Sequence, residues 1–384
     1  MTAAIVAKID VLMSVYNCER YIADTLASIQ NQTIRDIRLV IIDDGSTDKT
    51  GEIIKAAQAS DSRIDYHYQP NAGIVAAVQK GTALCTAPFI ARHDGDDISY
   101  PDRFEKELAY LEQNPDCVAV SALARHIDEN GSPTGNYVGL KDLSKADYTS
   151  IPATEPYIMQ PLLFLRRDAL GKAGGYRPLT VSEDTDLYWR MSEFGSLHII
   201  PEMLGDYRIH SASISSQGII AGRKLAIWSQ LCAVSAWRRR AGEPDISFTP
   251  DLKKMIDAES SLSGLFSIVS PLLRKDEKSW LHSALAAKMV DICYLRPYEP
   301  DRSDIEFIRS VPVVDPQVSS RSLYAEYKEA VLSTAIRLVI SGRIADALRL
   351  VSPKQLPKLA ARVIFRVVLP PSVRNRIKSV TKTK

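Results

Sequence analysis

What this chain has little of narrows its work before any motif is read. Cysteine is scarce: Cys18, Cys85, Cys117, Cys232 and Cys293 make an odd count, and no C-x-x-C spacing occurs. Free thiols in a reducing compartment are expected, and the pattern argues against a structural zinc site. Charge of one sign is scarce too. A formal net charge of +2 over 384 residues speaks against a dedicated nucleic-acid binder. No run of about 20 apolar residues free of charge occurs, so no membrane-spanning helix is expected. The opening MTAAIVAKIDVLMSVYN lacks a basic start, a long apolar run and a small-residue cleavage site. No signal peptide is therefore expected, and a cytoplasmic protein is. Glycine is missing from the turn after the first apolar run, which reads Tyr16-Asn17-Cys18-Glu19-Arg20. Without G-x-G-x-x-G there, a dinucleotide-binding dehydrogenase fails. A nucleotidyltransferase fares little better, since it needs a Gly-rich basic loop at that place to hold a triphosphate.

What is present alternates. Ile9–Val15 is a compact apolar run suited to a strand buried on both faces. Ile22, Leu26 and Ile29 then share one helical face. Ile37–Ile42 is a second strand, ending in Asp43-Asp44-Gly45-Ser46, with Ser46 as the expected N-cap of the next helix. Ile64–Tyr68 is a third strand, followed by Asn71-Ala72-Gly73 and an Ala-rich helix to about Leu84. Pro88–Ala91 leads a fourth strand into His93-Asp94-Gly95-Asp96-Asp97. Pro101 suits the first turn of a helix that turns Phe104, Leu108 and Leu111 inward. Cys117–Ser121 is a fifth strand. Such alternation implies a mixed, mostly parallel α/β sheet flanked by helices. From about residue 220 the pattern is helical. The expected divisions are a catalytic domain over 1–218, a helical C-terminal domain over 219–350 and a basic amphipathic tail over 351–384.

In parallel sheets ligands bind beyond the carboxyl ends of the strands, where Asp43/Asp44 and Asp94/Asp96/Asp97 both fall. Crowded carboxylates repel, and they stay ionised only with a cation among them. Hard oxygen ligands suit Mg2+ or Mn2+ bridging to a substrate diphosphate. Each cluster alone has a plainer reading. Asp43-Asp44-Gly45-Ser46 suits a turn with a helix cap. Glu183-Asp184 suits a helix start, where acidic residues favour the dipole. An EF-hand fails although Glu105 stands twelfth from Asp94, because Ile98 and Ser99 occupy positions that need a ligand and a glycine.

Order and strand context decide. The series Val15-Tyr16-Asn17, Asp43-Asp44-Gly45-Ser46-Thr47-Asp48, Asn71-x-Gly73, Asp94-Gly95-Asp96-Asp97 and Glu183-Asp184 resembles the inverting family 2 glycosyltransferases. The resemblance covers about residues 8–215 and implies their A-type fold. It implies a nucleotide-sugar donor, UDP-linked, and a glycan or lipid-linked acceptor of the cell envelope. It also implies roles. Ser14, Tyr16 and Asp44 face the nucleotide, Asp96 the ribose, with Asp94 nearby. Asp97 holds the Mn2+ or Mg2+, and His210 completes the metal or diphosphate site, its other reading being a surface loop histidine. Asp184 is the general base, and Gly174-Gly175-Tyr176 matches a loop near the acceptor. The chain departs from many relatives at Ser14, at Val78-Gln79, where they carry Arg-Asn, and at Gln160, which puts donor identity in doubt more than reaction type. A non-catalytic nucleotide-sugar-binding scaffold is the rival from another class.

Charge is uneven at the far end. After Asp346 no acidic residue occurs, but ten basic ones do, from Arg349 to Lys384. Leu359, Val363, Ile364, Val367, Val368 and Leu369 interleave with them. That pattern suits peripheral contact with an anionic membrane face; a helix packed on its own domain is the alternative.

Overall fold

A computed structural model of the chain describes residues 7–210, 218–296, 298–311 and 321–367. Two compact units divide it. The first takes residues 7–147, 155–210 and 247–253; the second takes 148–154 and most of the residues after 217.

The first unit runs β1 (Ile9–Val15), α1 (Ile22–Gln30), β2 (Ile37–Asp43), α2 (Thr50–Ser60), β3 (Ile64–Tyr68), α3 (Ile74–Leu84), β4 (Phe89–Asp94), β5 (Ile98–Ser99), α4 (Arg103–Gln113), β6 (Cys117–Ile127), β7 (Pro133–Val138), β8 (Phe164–Arg166), α5 (Arg167–Lys172), α6 (Glu183–Met191) and β9 (Ser196–Arg208). The strands form one mixed sheet in the order β3-β2-β1-β4-β8-β6-β9-β5, with β7 beside β6. β3, β2, β1 and β4 are parallel; β8 is antiparallel to both of its neighbours.

Alternation along β1 explains the two layers. Val11, Met13 and Val15 face one core with Ile22, Leu26 and Ile29 of α1 and Phe104, Leu108 and Leu111 of α4. Leu12 faces the other with Val78 of α3, Leu170 of α5 and Leu187 of α6. Both faces of the strand are covered, so apolar residues dominate it, and the buried Asp10 is met by Arg38 and by the Thr86 and Ala87 N–H groups. The register sets Val15 beside Asp43 and Ser14 beside Asp94. β2 and β4 therefore deliver their acidic ends to the same edge, one on each side of β1.

Three local expectations need correction. Ser46 does not cap α2; that helix begins at Thr50. The Ser46 N–H instead donates to Asp43 Oδ1 at 2.8 Å, and its hydroxyl accepts the Asn17 N–H at 3.0 Å. Pro101 lies in the turn before α4, whose first residue is Arg103. The fifth expected strand is longer than its apolar run, because β6 continues to Ile127 in a parallel ladder with β9.

The second unit is helical. Its elements are α7 (Ile219–Arg240), α8 (Pro250–Ala258, whose first turn belongs to the first unit), α9 (Leu262–Val269), α10 (Lys275–Leu295), α11 (Arg302–Ser310), α12 (Arg321–Ile340), α13 (Ile344–Leu350) and α14 (Leu356–Val367). α7 is buried all round from Ala226 to Ala236 and forms the centre. Its charged ends are satisfied inside the unit. Arg223 donates to both oxygens of buried Asp304 at 2.8 Å, and Arg238 donates to Glu277 at 2.8 and 2.7 Å. Among the described residues no helix is long and apolar enough to cross a membrane. Of the basic tail, residues 351–367 are described: Leu359 of α14 is buried and Ile364 is exposed. The rest of that segment lies outside the described residues.

Candidate active site

The edge is built first from backbone. The loop after β1 is stitched to the loop after β2: Cys18 N–H donates to Thr50 Oγ1 at 2.8 Å, Thr47 N–H to Asn17 Oδ1 at 2.8 Å, and Lys49 N–H to Glu19 Oε2 at 2.8 Å. Gly45 has φ +82°, and a Cβ there would meet the backbone N of Asn71 at 2.6 Å, so only glycine fits. Asp43 is consumed by structure, accepting from Ser46 N–H and, at 2.7 Å, from the Tyr66 hydroxyl. Asp44 is 4 % exposed. Its carboxylate accepts from Gln69 Nε2 at 2.7 Å and from the N–H groups of Ala72 and Gly73 at 2.9 and 2.8 Å. That explains Asn71-x-Gly73: the start of α3 donates to Asp44. Beside these groups stands Ser14, its buried Oγ without a partner, and Tyr16 projects from the end of β1, half exposed.

The acidic loop after β4 rests on buried charge. Arg103, the first residue of α4, is fully buried with Glu107 at 3.1 Å. Its Nη1 donates to Ser99 Oγ at 3.0 Å and its Nη2 to the Arg92 carbonyl at 2.9 Å. His93 is fully buried; its Nδ1 donates to the Asp94 carbonyl at 2.7 Å, and Nε2 accepts from Ser99 Oγ at 2.9 Å. Burial, then the positive charges of Arg103 and Arg92, push the His93 pKa down to about 3, so the ring is neutral. Thr25 of α1 donates its hydroxyl to the Asp97 carbonyl at 2.9 Å. The loop backbone is thus held from α1, α4 and β4.

Its side chains then part company. Asp94 accepts from Arg92 Nη2 at 3.2 Å, and Arg92, 1 % exposed, also donates to the Leu12 carbonyl at 3.1 Å. Asp96 meets His210, with Nε2 2.8 Å from Oδ2. Asp97 does not meet His210. Its Oδ1 accepts the Arg208 N–H at 2.8 Å, and its Oδ2 is buried without a partner. Burial, then the charges of Asp96 and Asp94, hold the Asp97 carboxyl well above its ordinary range.

α6 brings the remaining carboxylates. Ser182, just before it, has φ +64°, and Asn17, just after β1, has φ +50°. Among the described residues these are the non-glycine left-handed positions, and both lie at this edge. Such strain persists where surrounding structure enforces it. Asp184 Oδ1 accepts the Thr185 N–H at 2.7 Å. Burial raises the pKa of Asp184, and burial followed by the Asp184 charge raises that of Glu183. Arg92 opposes the rise at Glu183, so the charges of β4 and α6 reach one another. Asp186 and Arg190 pair at the buried face of α6; Arg190 Nη1 donates to the Gly175 carbonyl at 2.7 Å and Gln79 Nε2 to the Tyr176 carbonyl at 2.8 Å. Gly174 and Gly175, at φ +78° and +68°, let that loop turn. Gln79, which stands where many relatives have asparagine, therefore holds the Gly-Gly-Tyr loop, while Val78 is core.

Among the described residues no three His, Cys, Asp or Glu side chains converge as a complete protein-built metal centre. The pair that does converge, Asp96 oxygen and His210 nitrogen, fits a divalent cation completed by substrate oxygens and water. In the same loop Asp97 Oδ2 is buried without a hydrogen-bond partner.

Strand-end carboxylates on a mixed sheet, with an acidic helix start at the same edge, are the arrangement that the sequence resemblance implied. The model of "Glycosyl transferase family 2" matches residues 10–174. The putative glycosyltransferase EpsE of Bacillus subtilis is 33% identical over 193 residues, covering 49% of this chain and 68% of that one. The O-antigen biosynthesis glycosyltransferase WbnJ of Escherichia coli is 30% identical over 226 residues, covering 57% of this chain and 86% of that one. A solved mannosyltransferase of Pyrobaculum calidifontis, in complex with GDP-Man and Mn2+, is 12% identical with a TM-score of 0.49, covering 90% of this chain and 86% of that one. The chain belongs to glycosyl transferase family 2 and is an enzyme that uses a nucleotide-sugar donor.

Reasoning from sequence missed Arg92, Arg103 and Arg208. One signal for the first was available: an arginine inside the apolar run Phe89-Ile90-Ala91 needs a buried partner, and Asp94 stands two residues on. The neutral buried His93 sets a pH dependence. Its folded pKa, about 3, lies below the ordinary 6.5, so its contribution is full above pH 6.5 and is lost as pH falls toward 3. The loss should approach about 1.4 kcal/mol per pH unit. Urea unfolding from about pH 7 to about pH 5 should show a shallower decline for His93→Gln than for the unaltered protein.

Proposed function

We propose that this chain transfers a sugar from a UDP-linked donor to a hydroxyl of a glycan or glycolipid acceptor, with inversion at the anomeric carbon. The strained start of α6, where Glu183 beside Asp184 feels the charges of Arg92 and Asp94, supports this reading together with the Asp96–His210 pair. Ser14, Tyr16 and Asp44 line the side that takes the nucleotide, and Asp94 and Asp96 the side that takes ribose and diphosphate. Asp96 and His210 would hold Mn2+ or Mg2+, with Asp97 supplying negative charge beneath them. Such a cation would offset the charge that grows on the diphosphate as the sugar bond breaks.

Asp184 acts as the general base. One of its oxygens is fixed by Thr185, which leaves the other to accept the acceptor's proton as oxygen attacks the face opposite the diphosphate. Burial raises its proton affinity, which makes it a better base near neutral pH. The name of WbnJ supports an envelope polysaccharide as the acceptor class.

The test is a thermal-shift panel of UDP, GDP, CDP and dTDP, each with Mn2+, Mg2+ or EDTA. A binder raises the melting temperature by mass action. A metal-dependent shift with UDP is expected; a shift with another nucleotide replaces the donor, and none with any nucleotide overturns the reading in favour of a scaffold.

Replacing the base separates catalysis from binding. Asp184→Asn should lower kcat by about 10²–10⁴ while the nucleotide shift persists. In the unaltered enzyme kcat/KM should fall with decreasing pH along an acid limb lying above about 3.9, the ordinary aspartate value, because the base must be ionised and burial raises its pKa. Transfer by Asp184→Asn at the full rate would remove Asp184 from the role.

We further propose that the basic segment over 351–384 meets anionic lipid at the cytoplasmic face, where lipid-linked acceptors are presented. Its charge carries the proposal: ten basic residues follow Asp346 and no acidic one. A chain ending at Val367, which loses five of them, should sediment less with vesicles containing anionic lipid than the full chain does. Equal sedimentation of the two overturns the contact.

A further inference from the structure

The Asp96–His210 pair needs a reason to stay in place. His210 lies two residues beyond the end of β9, just after the Ile209 N–H that donates to the Ile127 carbonyl at 2.9 Å. Its imidazole lies against Tyr21, with ring centroids 5.2 Å apart. Tyr21 immediately precedes α1 and is half-buried.

The same ring carries a second group from β9. The Arg208 guanidinium sits 4.6 Å from the Tyr21 centroid. Arg208 is 4 % exposed and holds the acidic loop directly: its N–H donates to Asp97 Oδ1 at 2.8 Å and its Nε to the Asp96 carbonyl at 2.8 Å. Its Nη1 donates to the Asp128 carbonyl in the turn after β6 at 3.2 Å. Arg20 closes the arrangement, 5.4 Å from the same centroid, with its other contacts to Glu129 and Asn130 of that turn at 3.2 and 2.8 Å. One turn further along α1, Thr25 donates to the carbonyls of Gly95 and Asp97.

We infer that Tyr21 is a positioning residue for the cation–diphosphate site: its ring supports Arg208 and His210 together, and so fixes the imidazole against Asp96 and the loop backbone against β9. An aromatic face suits both neighbours. It attracts the guanidinium electrostatically and offers the imidazole a flat surface, at little cost in side-chain entropy. An aliphatic side chain of similar size fills the space and supplies no attraction to either group. Groups that orient metal ligands commonly change metal affinity about 10–100-fold when removed.

The inference rests on the nucleotide-sugar reading above, and the experiment separates the two. The probe is the nucleoside diphosphate that shifts the unaltered protein most, titrated calorimetrically with Mn2+ present and again with EDTA. Tyr21→Leu should raise the Kd with Mn2+ by about tenfold or more and leave the EDTA value little changed. Tyr21→Phe keeps the ring and should bind as the unaltered protein does. In turnover the Leu variant should show a raised donor KM with a smaller change in kcat, which a general loss of stability does not produce. Should Tyr21→Leu fail to fold, Tyr21→Met, which keeps volume and loses the aromatic face, carries the same comparison. If the unaltered protein binds no nucleotide, the functional reading falls and this inference with it. If it binds and the ring-less variant binds equally well with Mn2+, Tyr21 has no positioning role.

Discussion

Carboxylates gathered at one edge of a sheet repel one another, and the protein must supply positive charge of its own to hold them together. Here the means is a set of buried arginines. Arg103 reaches across from α4 to the backbone of β4 and, through Ser99, to His93. Arg92 neutralises Asp94 from within the sheet, and Arg208 ties the carbonyl of Asp96 and, through its N–H, the carboxylate of Asp97. Buried charge of this kind is costly unless paired and hydrogen-bonded. Each of these guanidiniums accordingly has more than one acceptor. Without them the three aspartates of one loop would repel one another without compensation.

The compensation is incomplete at one atom. Asp97 Oδ2 is buried and has no partner, while the loop's positive neighbours are spent on other groups. An uncompensated buried carboxylate favours its protonated form or a bound cation. The same edge carries the left-handed residues Asn17, just after β1, and Ser182, just before α6. Strain and unsatisfied charge thus gather where substrate is expected and are not spread over the sheet.

The layout was legible in the sequence where periodicity governs. β1, β2 and β4 follow apolar runs, and the register of β1 with its two neighbours makes the acidic ends coincide. Local chemistry with several outcomes was less legible. Ser46 has the composition of a cap, but Asn17 and Asp43 claim its polar groups from across the loop. Pairing within the acidic loop was less legible again. Asp96 and Asp97 are neighbours of like chemistry, and only the path of β9 decides which of them faces His210 and which faces the backbone of Arg208. The arginines escaped notice because an Arg in sequence reads as surface; Arg92 and Arg103 have carboxylates two and four residues on, but the Leu12 and Asp128 carbonyls that complete Arg92 and Arg208 lie tens of residues away.

The second unit follows the same physical rule with a different result. α7 is apolar through its middle and carries Arg223 near one end and Arg238 near the other, each paired to buried acid: Asp304 on α11 and Glu277 on α10. These pairs join helices distant in sequence and leave no carboxylate without a donor at that place, in contrast to Asp97. A buried acid with its charge met is a fastening, and a buried acid with its charge unmet is a site. By that criterion the acidic loop of the first unit differs in kind from the paired acids of the helical unit. Part of the basic surplus after Asp346 is fastened by pairing as well: Lys358 and Arg362 of α14 pair with Glu329 of α12.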